Sequence, residues 1–151
     1  MQLEHAHKYG DIGENGEYYK GGEFLPFYKP RPLMPQVSDK AYPQLIAWCA
    51  RNGLTVSCGS VSLACLKPHQ RIDKAKAQAI PPQVLDIPLL VSCDGYILDG
   101  NHRYLAHKLQ GKATVRVIQL GAAFDEAIAD LFRFLNETQG AALDKELSLP
   151  R

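Results

Sequence analysis

No apolar run in this 151-residue chain approaches the about 18 residues that a bilayer-crossing helix needs. Charge of one sign is missing too. Seventeen basic residues face sixteen acidic ones, a net +1, so no global field draws the chain to nucleic acid or a membrane. Any anion site must therefore be local. The four cysteines, Cys49, Cys58, Cys65 and Cys93, form no C-x-x-C pair and match no zinc spacing. They are expected to pack as small apolar side chains. The opening residues MQLEHAHKYGDIGENG have neither the basic start nor the apolar centre of a secretory signal. A cytoplasmic protein with no membrane partner is the expectation. There is no internal repeat.

What is present divides the chain in three. Residues 1–37 alternate turn signals with aromatics. Asn15-Gly16 and Gly21-Gly22 flank Glu17-Tyr18-Tyr19-Lys20 as hairpin turns would. Five of the ten prolines lie from Pro26 to Pro43, so KPRPLMP can be neither helix nor central strand. Residues 1–28 read as a β arm and 29–37 as an extended connector. The arm's Tyr18, Tyr19, Phe24, Phe27 and Tyr28 fit either anchoring or stacking on a nucleic-acid base.

Residues 38–136 carry the domain. Ser38 and Asp39 can cap a helix, Ala41, Leu45, Trp48 and Cys49 recur at helical spacing, and Gly53 ends it. LTVSCGSVSLACL reads as one strand bent at Gly59, and IDKAKAQAI as a short helix closed by Pro81-Pro82. DIPLLVS and GYIL are strands joined by the Cys93-Asp94-Gly95 turn. A helix is predicted from about Asn101 to Gln110, stopped by Gly111, followed by a strand over ATVRVIQL. FDEAIADLFRFLNE is amphipathic, with Phe124, Ile128, Leu131 and Leu135 on one face. Residues 137–151 read as a weakly structured tail. The order after the arm, αβαββαβα, predicts an α+β domain with a small mixed sheet.

One stretch is not explained by packing. ILDGNHRYLAHKL, Ile97 to Leu109, places Asp-Gly-Asn-His-Arg between a strand and a helix. Asp99-Gly100 turns the chain, and the first N–H groups of the helix then lack intrahelical partners. They form the positive end of the helix dipole, a natural phosphate seat. Arg103 adds a guanidinium fork and His102 a titratable donor. The competing reading makes Asp99 an N-cap, His102 a surface residue, and Arg103 a partner for Asp86 or Asp94.

The pieces LKPHQRIDKAKAQAI, IPLLVSCDGYILDGNHRYLAHKLQG and ATVRVIQL, from Val61 to Leu120, resemble the ParB/sulfiredoxin superfamily of phage and mobile-element type. Its Gly-x-His-Arg motif is matched by Gly100-Asn101-His102-Arg103. The resemblance implies nucleotide handling, with ATP or CTP as ligand. Gly100, Asn101, His102 and Arg103 would surround a phosphate. Asp99 would hold Mg²⁺, accept a proton from an attacking hydroxyl, or cap the helix. His69, Gln70 and Arg71 would face the same site, and Lys67 would add a phosphate contact. Two departures prune the list. Asn101 stands where a sulfiredoxin has its cysteine. Gln70 stands where kinase-like members have a glutamate, so Asp99 or Asp73 would have to supply the carboxylate. The expectation is a nucleotide-dependent phosphotransferase or NTP hydrolase acting through Asp99, His102 and Arg103. The alternative is a ParB-like DNA-binding protein or nuclease.

Overall fold

The computed structural model describes residues 34–69 and 72–148, side chains through 138, and the backbone of one short strand in the arm. That strand is β1 (Tyr18–Tyr19). Then follow α1 (Tyr42–Arg51), β2 (Val56–Ser62), β3 (Ile72–Asp73), α2 (Lys74–Gln78), α3 (Pro82–Leu85) and β4 (Leu89–Val91). β5 (Ile97–Asp99), α4 (Asn101–Leu109), β6 (Thr114–Leu120) and α5 (Phe124–Ser148) complete the order. The α+β architecture is the expected one. The arm turns at Asn15-Gly16 and Gly21-Gly22 lie outside the described residues, but Tyr18–Tyr19 pairs antiparallel with β3.

Four strands form a mixed sheet in the order β2-β6-β4-β5. β6 runs antiparallel to β2 and parallel to β4, and β4 antiparallel to β5. Alternation along these strands sends side chains to two faces. On one face Leu90, Ile118 and Leu120 meet Leu45, Trp48 and Cys49 of α1 and Phe124, Ile128, Leu131 and Phe134 of α5. On the other, Leu89, Val91, Val115 and Val117 meet Tyr104 and Leu105 of α4, with Ile72 and Ala77. The molecule is thus a sheet between two helical layers, each burying its own apolar cluster. Tyr104 belongs to the core, as its place after the motif suggests.

Several expectations need correction. The register of β2 runs unbroken through Gly59, which pairs with Val117, so no bulge interrupts the strand there. Pro81-Pro82 ends α2 but also opens α3, because Pro82 takes the first helical position, where its missing N–H costs nothing. The last helix does not stop near Glu137. It continues to Ser148 through a segment rich in Ala, Leu, Lys and Glu, strong helix formers that carry it past Gly140. Of the cysteines only Cys49 packs in the core; Cys58, Cys65 and Cys93 are exposed. Cys58 lies in the largely exposed middle of an edge strand. Among the described residues no helix is long and apolar enough to cross a membrane.

Candidate anion site at the start of α4

The site begins with one backbone torsion. At the end of β5, Gly100 adopts φ 108°, a left-handed conformation that L side chains rarely adopt. Space gives a second reason for glycine. A Cβ there would lie 2.6 Å from Leu89 Cδ2 and 2.9 Å from an Arg103 terminal nitrogen. The turn lets α4 start at once, and Tyr104 N donates the first intrahelical bond, to Gly100 O at 2.8 Å. The N-cap glycine supplies no side-chain acceptor. Asn101, His102 and Arg103 form the first turn of α4, whose leading amides find no acceptor within the helix itself.

This first turn lines a cleft of about 230 Å³. Asp99 to Arg103 form one wall, Met34, Pro35 and Gln36 of the connector another, and Ile80 and Val84 a third. Asn101 is only 9% exposed, and its Oδ1 has no hydrogen-bond partner among the described residues. A buried amide oxygen without a donor is costly, so a donor-bearing ligand or water is the natural complement.

Arg103 does something other than what its motif suggests. It is 7% exposed and turned into the protein. Nη1 donates to Ile87 O at 3.0 Å and Pro88 O at 3.2 Å. Nη2 donates to Asp99 Oδ2 at 3.2 Å and to the Tyr42 hydroxyl at 3.3 Å. Tyr42 in turn donates to the same Asp99 oxygen. Arg103 is thus a brace between β5, α1 and the loop before β4. Its ion-pair partner is Asp99, rather than Asp86 or Asp94. Burial, then the Asp99 charge, pushes the Tyr42 phenol well above its ordinary range, so it stays a donor at any ordinary pH.

The other sequence-predicted residues divide. His102 lines the cleft, and its Nε2 accepts from Asp73 N at 3.3 Å, which leaves the ring proton on Nδ1. Asp73 caps α2, its Oδ1 accepting from Ala75 N and Lys76 N. His69 does not reach the cleft. It is fully buried, its Nε2 2.8 Å from Ile97 O and its ring 4.8 Å from that of Phe124. The strand-like pairing of Lys67 with Tyr96 carries His69 into the core beside β5. Lys67 itself lays its ammonium 4.5 Å from the centre of the Tyr96 ring, away from the cleft. Gln70 and Arg71 lie outside the described residues. Sequence reasoning missed Tyr42, Met34, Pro35, Gln36, Ile80 and Val84. Nothing local marks them, because their role depends on contacts with residues far along the chain.

Asp99 keeps about a third of its side chain exposed. Arg103 and Tyr42 both bond Oδ2, and no hydrogen bond to Oδ1 is made among the described residues. A carboxylate oxygen left open in this way is a hard donor of the kind divalent cations take. No group of three or more His, Cys, Asp or Glu among the described residues forms a resident metal site.

No family model matches the chain, and no curated protein does. Solved structures do. It is similar to ParB N-domains. One is a pNOB8-like ParB-N domain in its C2221 form, at 17% identity and a TM-score of 0.40, over 58% of this chain and 38% of that one. Another is a pNOB8-like ParB N-domain, at 18% identity and a TM-score of 0.39, over 58% of this chain and 35% of that one. This chain therefore spans little more than a third of those chains' length.

Proposed function

We propose that the cleft at the start of α4 binds the phosphate of a nucleotide, ATP or CTP. The observation that carries this reading is the start of α4, behind its glycine N-cap, lining a cleft beside the buried Asn101. The positive end of the helix dipole favours an anion there. The Asp99 charge is balanced by Arg103, so it does not cancel that preference. In this role Arg103 shapes the site rather than gripping the phosphate. Gly100 keeps the backbone close to the ligand, and His102 contributes from the first turn.

The chemistry proposed is phosphoryl transfer or nucleotide hydrolysis. Asp99 is the cleft's carboxylate, able to accept a proton from an attacking hydroxyl or water, or to hold nucleotide-borne Mg²⁺. The cleft is smaller than the roughly 300–1,000 Å³ of sites that enclose a whole drug-sized ligand. It suits the phosphate end, with the remainder of the nucleotide lying outside.

The test is a melting series with ATP and CTP, each with and without Mg²⁺. A ligand at about 100 times its Kd stabilises the folded state by about 2.7 kcal/mol, a clear rise in Tm. Asn101→Asp places a carboxylate against the leading amides and should abolish that rise. The absence of any nucleotide shift, or an equal shift in Asn101→Asp, would refute the proposal.

A further inference from the structure

Two buried side-chain polar atoms among the described residues lack a hydrogen-bond partner, and both belong to α4. One is Asn101 Oδ1, at the cleft just described. The other is Nδ1 of His107, six residues on, which lines a different cleft of about 160 Å³. The α3 turn separates the two, with Val84 on the first and Leu85 on the second.

His107 is 7% exposed. Its Nε2 lies 3.1 Å from Leu85 O. A carbonyl oxygen can only accept, so Nε2 carries the ring proton and Nδ1 is a bare lone pair. The same cleft is lined by Lys112, Arg116, Ser60, Thr114 and one acid, Asp86. Arg116 donates to the Asp86 carbonyl oxygen, which fixes the guanidinium at the rim. Lys112 is brought back over the helix end by Gly111 at φ +75° and by a bond from its own N–H to His107 O at 3.1 Å. The C-terminal end of a helix disfavours anions. Here that effect is reduced, since the Ala106 and His107 carbonyls accept from Gln110 and Lys112. Two cations against one acid leave the cleft positive.

We propose that this cleft is a second anion site, for the phosphate group of a small phosphorylated molecule. Lys112 and Arg116 hold its oxygens, and its negative charge favours protonation of the His107 imidazole, whose buried Nδ1 lies in the cleft wall. That proton arrives with the ligand or from water, so no other reactant is needed. Burial, then the charges of Lys112 and Arg103, pushes the imidazole below its ordinary value, while the Leu85 carbonyl and Asp86 pull it up. A bound phosphate adds to the upward pull. The site stands independently of the α4 N-terminal reading.

The experiment follows the His107 ring nitrogens by NMR through a pH titration. Inorganic phosphate, a nucleoside monophosphate, and chloride at matched ionic strength are the three additions. Either phosphate species should raise the His107 pKa by about one unit, a roughly tenfold gain in proton affinity. Chloride should not. A larger rise with the monophosphate assigns the site to phosphomonoesters, and an equal or smaller one to free phosphate. The Lys112→Ala/Arg116→Ala variant changes two exposed side chains and should lose the response while Trp48 fluorescence stays native. Asn101→Asp should retain it, which separates this site from the first. No rise with phosphate, an equal rise with chloride, or an undiminished rise in the double variant would overturn the proposal.

Discussion

Arg103 gathers four acceptors from three separated segments: Tyr42, Asp99, and the Ile87-Pro88 carbonyls. Its planar fork makes that convergence possible, and a lysine's single ammonium could not satisfy the same set. Removing it leaves Asp99, already tied to Tyr42, without its counter-charge. Breaking a fully buried pair costs about 3–5 kcal/mol. Asp99 remains partly solvated, so Arg103→Ala should lose roughly 2–3 kcal/mol, read from the urea midpoint at constant m. A loss below about 0.5 kcal/mol would mean that the brace is ornamental and the guanidinium available for ligand.

At the scale of elements, α4 links the two candidate anion sites. Its first turn lies at the dipole's positive end, and its last turn carries His107 and Lys108 on the negative end. The same helix also seals one face of the sheet through Tyr104 and Leu105, so both clefts are held by a packed scaffold. The opposite face depends on α5. Phe134 is fully buried and meets Trp48 edge-on at 5.7 Å, while the Trp48 indole N–H reaches Glu137 at 2.8 Å. Phe134→Ala should therefore cost about 3–5 kcal/mol. The chain's single tryptophan reports the change directly, through an earlier fluorescence transition on denaturation. An unaltered midpoint would show that α5 is not part of the cooperative core.

Over the whole molecule, the two-faced sheet forces polar side chains such as His107 into burial where helix and sheet layers meet. His107 is held neutral, with its pKa in the fold below the ordinary 6.5. As pH falls past that value, the unfolded chain takes up a proton that the native state resists. Stability therefore declines from about pH 6.5 down to the folded pKa, by at most about 1.4 kcal/mol per pH unit for this one group. Urea midpoints at about pH 7.5 and pH 5.5 should differ in that direction. His107→Asn should flatten the difference. A steeper midpoint loss in the variant would assign the effect to other groups.

Local pattern was enough for much of this. The alternation in ATVRVIQL, the amphipathic face of FDEAIADLFRFLNE, and the Asp-Gly turn before a helix were all legible, because each depends on residues within a few positions of one another. The start of α4 at Asn101 was legible by the same local logic. Where Arg103 points was not legible, since its acceptors include Tyr42, 61 positions away. Nor was the burial of His69, which the pairing of Lys67 with Tyr96 imposes. Periodicity and turn chemistry determined the elements and their order. Only tertiary packing decided which polar side chains were spent as braces and which were left without partners, because a hydrogen bond across the fold depends on where distant segments meet.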